Sequence, residues 1–440
     1  MDKINIKIST LLLLTISCVK AQTLAAEPGT NAPPLSDWID PETGHRIIRL
    51  STEPGSATLY FHDNSYTPQG DKLIFYTPSG VAAMDITRLG AQPPKLEIVA
   101  QGGAAHMARP TREVYVNRGV RGRGFIGGGP VYAINVDTKQ ERLMTNTVST
   151  VISCDESFSF VMLRGDAAVD PTGKTQRPAA RPYVPQLQRM FPGKKLEDLT
   201  PEQQYSVQKE ERLARGTLNP PPAAFSFINL KTGERKTGGY QFSNPDHQQF
   251  NPTDPNLLLY AHEGTWHEVD RTWTIRTDGT DMKLIHKRTM DMEISGHEWW
   301  SFDGKKVWFD LQTPRSEDFW IAGVNIETGL ETRYHIKRDT WGVHFTSSRD
   351  DTLFASDGGD PSQVAYSTNG MWINLFRVQP NGAVAHERLA SMARHNYVTG
   401  GGRGGIEPNC SITPDKKWVI FTGQFAPGQR HVYAVEIARE

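Results

Sequence analysis

Phe302-Asp303-Gly304-Lys305-Lys306-Val307-Trp308-Phe309 reads as a tight polar turn feeding an apolar strand. The figure returns at Thr413-Pro414-Asp415-Lys416-Lys417-Trp418-Val419-Ile420-Phe421. Asp and Gly suit the turn, and β-branched and aromatic residues suit the strand that follows. Looser copies are Pro68-Gln69-Gly70-Asp71-Lys72 before Leu73, Pro110-Thr111-Arg112-Glu113 before Val114, and Asp155-Glu156-Ser157 before Phe158. Two more are Pro252-Thr253-Asp254-Pro255-Asn256 before Leu257, and Ser348-Arg349-Asp350-Asp351 before Thr352. Later in each unit comes an aliphatic strand, in several copies running into a Thr-Gly-Glu-like turn, as at Leu230-Lys231-Thr232-Gly233-Glu234. Uninterrupted, the period is roughly 42–50 residues, the range of a four-stranded propeller blade. Seven copies predict an all-β chain folded as a seven-bladed β-propeller over residues 45–440. The orphan strand 45–50 is expected to complete the last blade beside 432–437, closing the ring so that no sheet edge is left unpaired.

The period breaks at 166–222, a stretch rich in Pro, Arg, Lys and Gln with a helix predicted around 201–215. It reads as a partly helical insertion in the third blade, either covering one face or simply exposed to solvent. Glycine loops at 122–129 and 400–405 precede no helix in a βαβ setting, which makes a phosphate-cradling role weak. Lys plus Arg number 48 against 49 Asp plus Glu, so charge argues for neither a nucleic-acid nor an anionic-membrane partner. Abundant Gly (39), Pro (29) and Trp (10) favour short strands and tight turns over long helices.

Residues 1–21 read as an export signal: Lys3 and Lys7 flank a polar start, and Leu11-Leu12-Leu13-Leu14-Thr15-Ile16 is an apolar run too short to span a bilayer. Val19-Lys20-Ala21 is a small-residue cleavage site, while Thr15-Ile16-Ser17-Cys18 is an imperfect lipobox that would leave Cys18 lipidated. Simple cleavage is favoured, with 22–44 as a linker. The expected protein is exported and periplasmic, anchored by lipid only if the lipobox is used, with no later segment able to cross a membrane. Cys154 and Cys410 then remain, too distant in sequence to argue for pairing.

Five of the thirteen histidines fall between Asn244 and Phe309. Reading back a few residues from each blade's turn gives His62, His106, His247, His297, His344 and Glu407. The strand nearest the axis leads into that turn, so residues that begin those strands share one rim of the central channel. Six of seven blades thus offer an imidazole or a carboxylate there, a donor set that suits Mn²⁺, Fe²⁺, Zn²⁺ or Ni²⁺. Taken singly, each histidine is better read as a satisfied surface or core side chain; the recurrence favours the set. His262 follows the second strand of the fourth blade and is expected farther from the axis. Trp266, His267 and Arg271 in the next loop either line a pocket or form a solvated loop with one packed Trp. With no Gly-x-Ser-x-Gly elbow and no His-Glu-x-x-His pair, metal-assisted or acid–base work remains.

His247-x-x-x-Asn251-Pro252, Leu259-Tyr260-Ala261-His262-Glu263-Gly264, His297-Glu298-Trp299-Trp300 with Asp303-Gly304, and the stretch 408–422 together resemble the oligogalacturonate lyase family. That family is built on a seven-bladed propeller, and the resemblance covers most of 45–440. It implies Mn²⁺ held by histidines and a glutamine, and cleavage of an acidic oligosaccharide, a galacturonide, by β-elimination. Carried over by position, His297 and His344 match metal-ligand histidines. Glu407-Pro408-Asn409 stands where the family has a His-Pro-His-like pair, so Glu407 and Asn409 would supply oxygen ligands. The family glutamine falls on Gly404, and an arginine near the fourth-blade turn becomes Asn251. The chemistry calls for a base at the C5 proton, His262 or His247, and for cations on carboxylates, Arg271 or Arg403. Arg403, Trp266, His267 and His106 are the candidate substrate contacts. The competing readings are a non-catalytic envelope propeller of the TolB type, and a carbohydrate-binding propeller that has lost the chemistry.

Overall fold

In four blades the turn after the axial strand is closed by a clasp made within a handful of residues. Ser301 donates its hydroxyl to Asp303 Oδ1 (2.7 Å), and Lys306 N–H donates back to Ser301 Oγ (2.9 Å). Gly304 sits between them at φ +71°, where a side chain would be strained. The same clasp joins Ser348 to Asp350, Thr413 to Asp415 and Ser153 to Asp155. These hydrogen bonds reverse the chain before the apolar strand starts, which is why the turn recurs so audibly in sequence.

The computed structural model describes residues 36–119, 129–146, 149–179, 182–397 and 407–439. Seven antiparallel sheets form a ring of seven blades. Blade 4 (Pro245–Phe250, Leu257–His262, Thr272–Arg276, Lys283–Leu284), blade 5 (Ile294–Trp300, Lys306–Gln312, Phe319–Asn325, Glu331–Ile336) and blade 6 (Gly342–Ser347, Leu353–Gly358, Trp372–Val378, Val384–Ser391) run in simple meander order. So does blade 2 (Gly103–Met107, Glu113–Asn117, Val131–Asn135, Glu141–Thr145). In blades 1 and 3 the axial strand shrinks to isolated bridges, Ala57 to Tyr76, Tyr66 to Leu73 and Ile152 to Ser159. Large aromatics fill the space between blades; Trp299, Trp308, Phe345, Phe354 and Phe376 form one such cluster across blades 5 and 6.

Blade 7 closes the ring. Arg46–Arg49 pairs with Arg430–Glu436 in the register Ile47 to Val435, Ile48 to Ala434 and Arg49 to Tyr433. Asp37–Ile39 then adds a further edge strand, with Asp37 opposite Ile48 and its carboxylate bound to Arg46. Part of the stretch expected as linker is therefore strand, because the closing strand leaves a free edge that the preceding residues can pair with. Residues 1–35, including Cys18 and the stretch expected as an export signal, lie outside the described residues.

Between Phe158–Arg164 and Pro222–Asn229 of blade 3 lies the helical insertion. Its helices are α1 (Gln186–Met190) and α2 (Pro201–Leu218). Thr200 caps α2 in a reciprocal box with Gln203, and Pro201 takes the first turn, where its missing N–H costs nothing. Connections leaving the second strand of a blade emerge on the same face as the start of the axial strand. The insertion is one of these and docks onto the others: Glu210 pairs with buried Arg315 at 2.9 Å, Ser206 binds Tyr366 at 2.9 Å, and Gln186 binds His267 at 2.9 Å. It covers the histidine face.

Candidate active site at the histidine rim

A bulge interrupts the axial strand at the histidine in four blades. Pairing slips between Gly103 and His106, between Asp246 and Gln249, between Ser295 and Glu298, and between Gly342 and His344. A bulge re-aims the side chain it carries, and His247 even adopts φ +53°. Two bulges are tied by an aspartate thirteen residues downstream on the second strand. His297 N donates to Asp310 Oδ1 at 2.8 Å, and His344 N to Asp357 Oδ1 at 2.6 Å.

The re-aimed rings form an arc. His62 Nδ1 and His106 Nδ1 both lie 3.6 Å from Asp63 Oδ1. Ring centroids then step from His62 to His247 (5.8 Å), to His297 (5.3 Å) and to His344 (4.5 Å). His344 Nε2 ends 3.8 Å from Glu407 Oε2. Tyr60 lies across the arc, its ring 4.9, 5.6 and 5.2 Å from those of His62, His247 and His344. Phe61 stacks on His344 at 4.7 Å.

Tautomers follow from the partners. His297 Nδ1 lies 2.8 Å from the Val343 carbonyl, which can only accept, so Nδ1 carries the proton and Nε2 the lone pair. His344 Nδ1 lies 2.9 Å from Asp357 Oδ2, with the same consequence. Burial, then the neighbouring His344, His247 and Arg271, hold the His297 pKa well below the usual imidazole range. Burial likewise lowers His62 to about 4. The arc is thus electrically neutral at these rings.

Arg271 is fully buried behind His247. Its Nη2 meets Glu263 at 2.7 Å and His247 Nδ1 at 3.2 Å, and its Nε meets Glu298 at 3.1 Å. Among the described residues, Nη1 has no hydrogen-bond partner. Burial alone would raise the pKa of both glutamates, but the Arg271 charge outweighs it and lowers both, Glu263 to about 2. Glu298 Oε1 also stands 3.2 Å from His247 Nδ1. Trp266 lies edge-on to His297 at 5.1 Å, beneath the Arg271 guanidinium and beside Lys209 of α2.

Other expected site residues go elsewhere. His262 Nε2 binds Gln241 at 2.7 Å and its ring stacks on Trp273, so it faces a separate cavity of about 950 Å³ under the insertion. His267 is sealed between Gln186 and Arg315, and burial with the surrounding arginines lowers its pKa to about 2. It clamps the insertion. Asn409 turns its amide oxygen to Phe61 N–H (2.9 Å) and its amide nitrogen to the Glu407 carbonyl (3.1 Å), buttressing the rim from behind. Arg403 and Gly404 lie outside the described residues.

Tyr60, Glu263, Glu298, Asp310, Asp357 and Lys209 are the site residues that the sequence did not single out. For Asp310 and Asp357 a signal existed, the shared thirteen-residue spacing from a rim histidine. Among the described residues, no three His, Cys, Asp or Glu side chains are grouped tightly enough to close on one ion. The donor chemistry still fits one: two neutral imidazoles, each locked through Nδ1 by a carbonyl or carboxylate as metal-ligating histidines are, beside a carboxylate.

Fold and site define a seven-bladed propeller whose axial mouth is lined with imidazoles and backed by a buried arginine–carboxylate network. The chain belongs to the oligogalacturonate lyase family, whose model matches residues 197–439. It is 28% identical over 216 residues to an oligogalacturonide lyase of Pectobacterium atrosepticum, and 29% identical over 220 residues to an oligogalacturonate lyase of Dickeya dadantii. Each match takes in 48% of this chain and 54% of the relative, so the chain spans about half the length of the relatives it matches. Two solved structures share the fold. One, an oligogalacturonate lyase in complex with manganese, has a TM-score of 0.67 at 20% identity, over 92% of this chain and 96% of the other. The second, an oligogalacturonate lyase from Vibrio parahaemolyticus, has a TM-score of 0.66 at 17% identity over the same shares.

Proposed function

We propose that the chain is a lyase that cleaves oligogalacturonides, or a closely related uronide, by β-elimination. Supporting this reading is one observation above all: His247 lies on the rim between Arg271 and two carboxylates, next to His297 and His344 with their Nε2 lone pairs turned inward. In the tautomer that donates Nδ1–H to Glu298, Arg271 Nη2 bonds Glu263 alone, and His247 Nε2 carries the lone pair and takes the C5 proton. The C5–H electrons form the C4–C5 double bond, the C4–O4 bond breaks, and O4 leaves carrying a proton taken from solvent water. The buried Arg271 charge behind His247 favours the negative charge that builds on the sugar carboxylate as C5 loses its proton. Arg271 otherwise positions His247, since its Nη2 and Nε are held by Glu263 and Glu298.

His297, His344 and Glu407 would hold a divalent ion, manganese being the one bound by the solved relative. When bound, it would supply a positive centre beside the substrate carboxylate. The non-catalytic TolB-like reading is not favoured by membership of a lyase family. Export to the periplasm, with cleavage after Ala21, completes the proposal.

Ultraviolet absorbance of a 4,5-unsaturated product, assayed over a panel of uronides, tests the reaction. His247→Gln is expected to lower kcat by roughly 10²–10⁴-fold, while His262→Gln leaves it within a few-fold. A silent wild-type enzyme across the panel refutes the reading and leaves a binding propeller. Equal loss in the two variants refutes the assignment of the base.

A further inference from the structure

A cavity of about 130 Å³ runs along the propeller axis, lined by residues from all seven blades. At its upper end stand His62, Asp63 and His106. Its other end opens at the face of the blade turns, opposite the histidine arc. Two arginines meet there. Arg109 follows the axial strand of blade 2, and Arg349 sits in the turn of blade 6. Both guanidiniums lie over the ring of Phe302, from the turn of blade 5, at 5.1 and 4.6 Å from its centroid.

Neither arginine forms an ion pair with any carboxylate among the described residues. Arg109 makes no hydrogen bond there, and Arg349 makes only two long ones, at 3.5 Å, to the carbonyls of Thr67 and Pro68. The Asp63 carboxylate lines the far end of the same cavity, 3.6 Å from His62 Nδ1 and His106 Nδ1, and forms no ion pair with either arginine. Burial pushes Arg109 down to about 10, and the Arg349 charge adds to that effect. Burial lowers Arg349 too. Both remain cationic at neutral pH. Buried Arg109 and half-buried Arg349 therefore face one small cavity with no ion-pair partner for either among the described residues, an arrangement that an anion would complete. Guanidinium forks match oxyanions in geometry as well as charge. Hydroxyl groups of Ser411, Thr413 and Ser347 line the same cavity.

We propose that this end of the channel is an oxyanion site, where Arg109 and Arg349 together hold a small phosphate or carboxylate group. It is separate from the histidine arc and does not depend on the lyase reading.

The test uses the full chain in chloride-free buffer of low ionic strength, with inorganic phosphate and galacturonate as probes in calorimetric titration and thermal unfolding. The wild type should bind phosphate saturably and gain several degrees in Tm. Arg109→Gln or Arg349→Gln should weaken binding at least tenfold, and the double variant should abolish it. His297→Ala should bind phosphate as the wild type does, which separates this site from the rim. Competition by galacturonate would assign the natural ligand to uronate carboxylates; undiminished phosphate binding would assign it to phosphate-like anions. Should Arg109→Gln not fold, Arg349→Gln, at a more exposed position, carries the test. No saturable binding, or an equal response in wild type and double variant, overturns the proposal.

Discussion

Asp357 carries three hydrogen bonds at the rim: from His344 N (2.6 Å), from His344 Nδ1 (2.9 Å) and from Asn409 N (2.8 Å). Asp357→Asn keeps the shape and removes one of two accepting oxygens. If the amide oxygen stays on His344 N, the new NH₂ faces Asn409 N–H, donor against donor. That NH₂ then finds an acceptor only at His344 Nδ1, which moves the ring proton to Nε2 and removes the inward lone pair. If the amide flips, His344 N–H is the one left facing a donor. Either way one buried N–H loses its partner, at a cost of roughly 1–3 kcal/mol. The tautomer change should weaken binding of a divalent ion by roughly 10–100-fold, the usual effect of removing a carboxylate behind a ligating imidazole. Urea unfolding without metal reads the first quantity and calorimetric titration with Mn²⁺ the second. A variant that loses stability but binds Mn²⁺ like the wild type would refute the role given to His344 Nε2. One that loses affinity without loss of stability would refute the account of the carboxylate as anchor.

His286 lies buried between Glu293 (2.6 Å) and Glu331 (3.3 Å). Burial alone would lower its pKa, but the two glutamates outweigh it and raise the value to about 9. Its contribution, about 3 kcal/mol by linkage, is fully present below roughly pH 6.5 and lost as pH rises through about 9; urea midpoints should follow this, and His286→Gln should flatten that part of the profile. At Gly296 an added Cβ would sit 1.7 Å from Asp310 Oδ1, so Gly296→Ala should displace the carboxylate that tethers His297 and abolish activity; an active Gly296→Ala enzyme would mean the tether is dispensable. Glu210→Ala leaves Arg315 buried without its carboxylate and should cost roughly 3–5 kcal/mol. It should also free α2 for proteolysis, whereas wild-type protease resistance in this variant would show that the insertion is held by other contacts.

The blades were legible in sequence because their information is local. Ser301, Asp303 and Lys306 make their clasp within six residues, and the same short clasp at Ser348 and Thr413 turns one pattern into a count of repeats. The closing strand at Ile47 and Ile48 was legible for a related reason, since an unpaired strand and an incomplete last blade must satisfy each other. The rim histidines inherited their legibility from the period. Their roles did not follow from it. His247 and His262 look alike in sequence, yet a bulge and a positive φ send the first toward the axis, while the second ends its strand at Gln241 and Trp273. Glu298 adjoins His297 in the chain but serves Arg271 and His247 in the next blade. Tyr60 reaches the arc from a segment with no regular strand. His267 and Asn409 have the right chemistry for a site and are consumed in holding the insertion and the rim in place. A propeller brings residues some fifty positions apart to one axis, so sequence period places side chains on the rim. Which of them point inward, and which tautomer they hold, depends on bulges and on hydrogen bonds between blades, and those exist only once the ring has closed.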